Sequence, residues 1–222
     1  MTPPLGRPFS AVVFDMDGLM LDTERIARRA WDLSLGERGL AIPPEVYLRV
    51  VGRSMPAVRE VFLEALGADL PIDAVIERKR DLMEKIFLRE GVPVKPGLVA
   101  LLAALQVRSV PVAVASSTCR KDVLHRLSLA GLGDRFEVVV GGDEAARGKP
   151  APDLFLEACR RLALPPVDCV VLEDSEAGIR AAHAAGAMPV MVPDMVPPSA
   201  GVRALARGVF SSLADVTAFL GL

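Results

Sequence analysis

Ala11-Val12-Val13-Phe14 is a short apolar run that stops abruptly at Asp15-Met16-Asp17-Gly18, and that arrangement recurs along the chain. Comparable runs lie at Val110 to Ala115, Phe136 to Val140, Cys169 to Leu172 and Met188 to Val192. Continuous apolar runs of this length read as buried strands. Helical patterns fall between the later runs, at Arg120 to Ala130, Leu154 to Leu162 and Ala177 to Ala185. Strand and helix in alternation predict an α/β fold, a Rossmann-like doubly wound parallel sheet with helices on both faces. In such a sheet ligands bind beyond the carboxyl ends of the strands.

One stretch breaks the alternation. Between the first two strand runs the chain carries four amphipathic helical patterns: Thr23 to Arg38, Pro44 to Val50, Pro56 to Leu66 and Ile72 to Arg89. A parallel crossover needs only about a dozen residues, so the excess predicts an inserted helical subdomain. The boundaries expected are 1–21 and 93–222 for the α/β core and 22–92 for the insert. Pro93, Pro96 and Gly97 suit a stiff linker that ends at a helix start.

The formal net charge of −2 over 222 residues gives no electrostatic reason to expect nucleic acid or an anionic membrane as partner. The apolar runs are far too short to span a bilayer. Met1 to Ser10 lacks a basic region followed by an apolar stretch, so no signal peptide is expected. Cys119, Cys159 and Cys169 have no metal-ligand spacing and read as free thiols, which gives the expectation of a cytoplasmic protein. Nothing in the sequence demands more than a monomer.

Four polar clusters follow four of the strand runs, and strand ends converge on one rim. Asp15 and Asp17, two residues apart, can lie on one side of the chain. Paired carboxylates suit a hard cation such as Mg2+. One can attack phosphorus and the other move a proton. A strand-ending acidic turn is the plain alternative. Ser116-Ser117-Thr118 offers hydroxyls and backbone N–H groups to phosphate oxygens, or simply caps a helix. Lys149, fixed between Gly148 and Pro150, is a compact cation for a phosphate or a carboxylate. Glu173-Asp174-Ser175 brings a second acidic pair. Acids gathered on one rim repel one another unless a cation neutralises them, which is the physical reason to infer a divalent metal.

With these residues in view, the chain resembles the haloacid dehalogenase superfamily. Phe14-Asp15-Met16-Asp17-Gly18 resembles its first motif, and Ser116, Lys149 and Glu173-Asp174 match the second to fourth in order. The helical insert resembles the small-cap type. Gly148-Lys149-Pro150 and Glu173-Asp174-Ser175 look like the branch of beta-phosphoglucomutase and sugar-phosphate phosphatases. The resemblance implies roles. Asp15 is the nucleophile and a metal ligand, and Asp17 is the general acid/base, with its backbone carbonyl on the metal. Ser116, with Ser117, binds the phosphoryl group, and Lys149 steadies Asp15 and the phosphoryl oxygens. Asp174 with Glu173 completes an Mg2+ site, and the cap closes over the whole and contributes substrate contacts.

The acid at Asp17 favours phosphate over halide chemistry. The mutase carries a His early in its first cap helix, where this chain has Ala27, and an Arg in its cap loop, where Met55 aligns and Arg53 lies close by. Hydrolysis of a small phosphorylated metabolite, a sugar or polyol phosphate, is therefore the expectation. A sugar-phosphate mutase is the alternative. A non-catalytic binding protein fits less well, because a retired site has no reason to keep clustered acids. The loop Gly52-Arg53-Ser54 is the candidate for substrate contact, with a plain interhelical turn as the equal alternative.

Overall fold

The computed structural model describes residues 5–51, 53 and 55–222. In chain order it contains β1 (Ala11–Phe14), α1 (Thr23–Gly36), α2 (Pro44–Leu48), α3 (Met55–Leu66), α4 (Ile72–Glu90) and α5 (Leu98–Val107). Then come β2 (Val112–Ala115), α6 (Arg120–Leu129), β3 (Val138–Val140), α7 (Asp153–Arg161) and β4 (Cys169–Glu173). The chain ends with α8 (Glu176–Ala184), β5 (Met188–Met191), α9 (Ala200–Leu205) and α10 (Leu213–Leu220).

The five strands form one parallel sheet in the order β3-β2-β1-β4-β5. This is the Rossmann-like α/β architecture expected from the alternation. β1 lies at the centre, with Phe14 in register with Val114 on one side and Leu172 on the other. All four β1 residues are fully buried, as a strand covered on both faces requires. Each such valine or phenylalanine contributes roughly 1.5–3 kcal/mol by leaving water. β2 and β4 leave β1 on opposite sides, so the crevice at their carboxyl ends is the place where this topology puts a ligand site.

The chain divides into two compact units, Met1–Leu21 with Pro93–Leu222, and Asp22–Val92. In the second unit the described elements are helices. Ile26, Ala30, Trp31 and Leu35 form the buried stripe of α1 at helical spacing. Trp31 meets Phe62 of α3 edge to face, with ring centroids 4.8 Å apart. The buried Ser34 hydroxyl donates to the Val75 carbonyl of α4 at 2.9 Å, and Arg29 forks onto Glu90 at the far end of α4. Among the described residues no helix is long and apolar enough to cross a membrane.

Candidate active site

β1 ends at Phe14, and Asp15 N–H still donates to the Leu172 carbonyl at 3.0 Å. Asp15 is thus held by the sheet ladder although it stands beyond the strand. The chain then turns back on itself, with the Met16 carbonyl accepting from both Met20 and Leu21. Gly18 makes this turn possible at φ +88. A Cβ there would also lie 2.3 Å from Asp174 Oδ2, so Gly18 both turns the chain and leaves room for the Asp174 carboxylate.

Lys149 joins the strand ends. Its ammonium donates to Asp15 Oδ1 at 2.5 Å, Glu173 Oε1 at 2.6 Å and the Ala115 carbonyl at 3.2 Å. Three donors meet three acceptors. The Phe155 ring lies 5.0 Å from Nζ, and the lysine side chain is 7% exposed. Burial opposes its charge, but the carboxylates of Asp15 and Glu173 outweigh burial and raise its pKa. Lys149 is therefore a permanent cation here.

Glu173 is fully buried. Its second oxygen accepts from the backbone N–H and the hydroxyl of Ser175, both at 2.9 Å. The same hydroxyl accepts from Gly178 N–H and so caps α8. Gly178 has no room for a side chain, since a Cβ would fall 1.8 Å from the Glu173 carboxyl carbon. Both Glu173 oxygens are engaged, so this acid acts on the site chiefly through Lys149 and the start of α8.

Asp15, Glu173 and Asp174 each present an oxygen within 4.8 Å of the others. Burial, and then the charges of Glu173 and Asp17, push the Asp15 carboxyl well above its usual range against the opposing pull of Lys149. Two of these carboxylates, Asp15 and Glu173, share the Lys149 ammonium. Hard oxygen donors gathered this closely fit a divalent cation such as Mg2+, while both Glu173 oxygens already accept hydrogen bonds.

Ser116 is buried after β2, its N–H bonded to the Val140 carbonyl at 3.1 Å. Its hydroxyl accepts from Thr118 N–H and lies 3.5 Å from Asp17 Oδ2. Ser117 beside it is exposed. Asp17 is held more closely by Thr118, read from the sequence only as part of the phosphate-binding or capping cluster, and by Arg126, to which the sequence reading gave no role. Thr118 Oγ1 meets Oδ2 at 2.8 Å and Arg126 Nη1 donates to Oδ1 at 2.8 Å. Arg126 lies three residues beyond the buried Val123 and beside the buried Leu127, on the inward side of α6. Arg53 is exposed between α2 and α3, while Gly52 and Ser54 lie outside the described residues.

Asp15, Asp17, Ser116, Lys149, Glu173 and Asp174 thus gather at one rim, from the ends of β1, β2 and β4 and the loop before α7. The family model of haloacid dehalogenase-like hydrolases matches residues 9–186, a span that contains all six. The chain belongs to this family. Among the haloacid dehalogenase-like hydrolases, fructose-1-phosphate phosphatase YqaB of Escherichia coli is 33% identical over 178 residues, 80% of this chain and 93% of the relative. The bifunctional riboflavin kinase/FMN phosphatase of Arabidopsis thaliana is 31% identical over 219 residues, 97% of this chain. The chain spans only 56% of that relative's length. Among solved structures, CbbY from Rhodobacter sphaeroides in complex with phosphate superposes with a TM-score of 0.80 at 28% identity, covering 96% of this chain and all of that one.

Proposed function

We propose that this member of the family is an Mg2+-dependent phosphatase that hydrolyses a small sugar or polyol phosphate through a phosphoryl group carried on Asp15. The observation that carries this reading is the buried Asp15 carboxylate, held by Lys149 and within 4.8 Å of the oxygens of Glu173 and Asp174. The fructose-1-phosphate activity named for the Escherichia coli relative supports this substrate class, and the phosphate in the CbbY structure supports a phosphate-binding site on this fold. The free thiols support a reducing, cytoplasmic setting.

In the first half-reaction an Asp15 oxygen attacks phosphorus and the ester P–O bond breaks. The leaving oxygen takes a proton from the Asp17 carboxyl. In the second, Asp17 takes a proton from water as that water attacks phosphorus. The bond to Asp15 breaks, and inorganic phosphate and the Asp15 carboxylate are released. Lys149 fixes the attacking carboxylate and offers charge to the phosphoryl oxygens, while Ser116 offers them a hydroxyl. Mg2+ held by Asp15 and Asp174 would supply neutralisation of the phosphoryl charge.

A panel of sugar and polyol phosphates assayed for inorganic phosphate tests this reading. Release from at least one ester is expected with Mg2+. It should stop on chelation with EDTA and return when Mg2+ is restored. Release from no ester, or release indifferent to EDTA, contradicts the proposal.

A further inference from the structure

Asp17 is gripped at both of its oxygens by α6 and the loop that leads into it. Arg126 donates to Oδ1, while Thr118, with Ser116 further off, meets Oδ2. The ion pair is sheltered, with side chains 17% and 20% exposed for Arg126 and Asp17. Thr118 is itself tied by its N–H to the Ser116 hydroxyl at 3.1 Å. Rotation of a carboxylate about its last bond is broad when nothing restrains it. Contacts on two different oxygens fix the plane.

The two partners differ in what they can do. A guanidinium only donates and never loses its proton, so Oδ1 is an acceptor in every state of Asp17. A hydroxyl donates to a carboxylate and accepts from a carboxylic acid with equal ease. Thr118 therefore tolerates a proton on Oδ2, and Arg126 does not tolerate one on Oδ1. Oδ2 is also the oxygen on the Ser116 side, where the phosphoryl group is placed in the scheme above.

We propose that Arg126, assisted by Thr118, is a positioning residue that orients Asp17 so that Oδ2 alone exchanges the proton with the leaving oxygen and with water. This inference rests on the phosphatase reading. It differs from a simple tether of α6, because a tether affects every substrate alike, whereas misplacing a general acid affects chiefly those whose leaving group needs a proton. An alkyl alcohol needs one; p-nitrophenolate leaves without it.

The test compares kcat/KM for the best alkyl ester of the panel with kcat/KM for p-nitrophenyl phosphate, both with Mg2+. The enzymes are the wild type, Arg126→Met, Arg126→Lys and Thr118→Val. General acid–base catalysis is worth 10²–10⁴-fold, so Arg126→Met should lower the alkyl value by about 10²-fold, with a loss at least tenfold smaller for the aryl ester. Arg126→Lys should recover part of the alkyl loss. Thr118→Val, close to isosteric, should show the same selectivity more weakly, and it carries the comparison if Arg126→Met does not fold. Equal losses on both esters, or none on either, overturn the inference and leave the phosphatase reading standing. Failure of the wild type on both esters removes the two together.

Discussion

Glu173 touches no reacting atom in the scheme above, yet it sets three of its neighbours. It anchors Lys149, ties down the Ser175 cap and occupies the space above Gly178. Gly178 is the sharpest probe of this arrangement. Helix propensity alone would make alanine better by roughly 1 kcal/mol. Overpacking against a buried group costs about 1–3 kcal/mol, and a Cβ 1.8 Å from Glu173 cannot be relieved without moving it. Steric cost should win. Gly178→Ala is predicted to lower both urea stability and kcat, whereas Gly148→Ala, with nothing within 4 Å of its Cβ, should cost little stability. The acids and the lysine of the site were legible in the sequence because each follows an apolar run or precedes a helix start. Arg126 was not, because a side chain six residues into a helix reaches the rim only through the rotation of α6 and its own rotamer, neither of which spacing records. The role of Glu173 as the anchor of Lys149 and Ser175 was equally hidden, since nothing in the spacing of two adjacent acids records their hydrogen bonds.

At the scale of elements, the amphipathic stripes of α1 and α4 identified the helical unit, and the apolar runs located all five strands. Edges were less legible. β2 begins at Val112 and not at Val110, because Pro111 has no N–H for the ladder and contributes only its carbonyl, to Val12. The short helices α9 and α10 follow a proline-rich loop and carry too few turns for a period to stand out. Within the helical unit, Trp31 is the main aromatic anchor, 3% exposed and packed on Phe62. Removing a buried aromatic costs about 3–5 kcal/mol. Trp31→Ala should therefore raise amide exchange across α1, α3 and α4 while leaving β1 and β4 protected. Uniform loss of protection throughout the chain would show that the unit Asp22–Val92 has no core of its own.

At the scale of the whole molecule, one sheet brings residues more than 150 positions apart onto a single rim. β1 carries the proposed nucleophile at the centre of the sheet, with a neighbour on each side whose end adds a further group: Ser116 after β2, Glu173 and Asp174 at β4. The order of these residues in the chain and the order of the strands together account for the site. The strand ends carry groups for a phosphate and a cation and nothing that distinguishes one ester from another, which is why the sequence indicated a class of ester and not a molecule. The central claim is that Asp15 carries the phosphoryl group. Rapid acid quench during turnover, followed by mass spectrometry of the peptides, tests it most directly. The account predicts the mass of one phosphoryl group on the peptide containing Asp15 in the wild type, with no such mass and no turnover in Asp15→Asn. Phosphate release by Asp15→Asn, or a phosphoryl group found on any other residue during turnover, would contradict it.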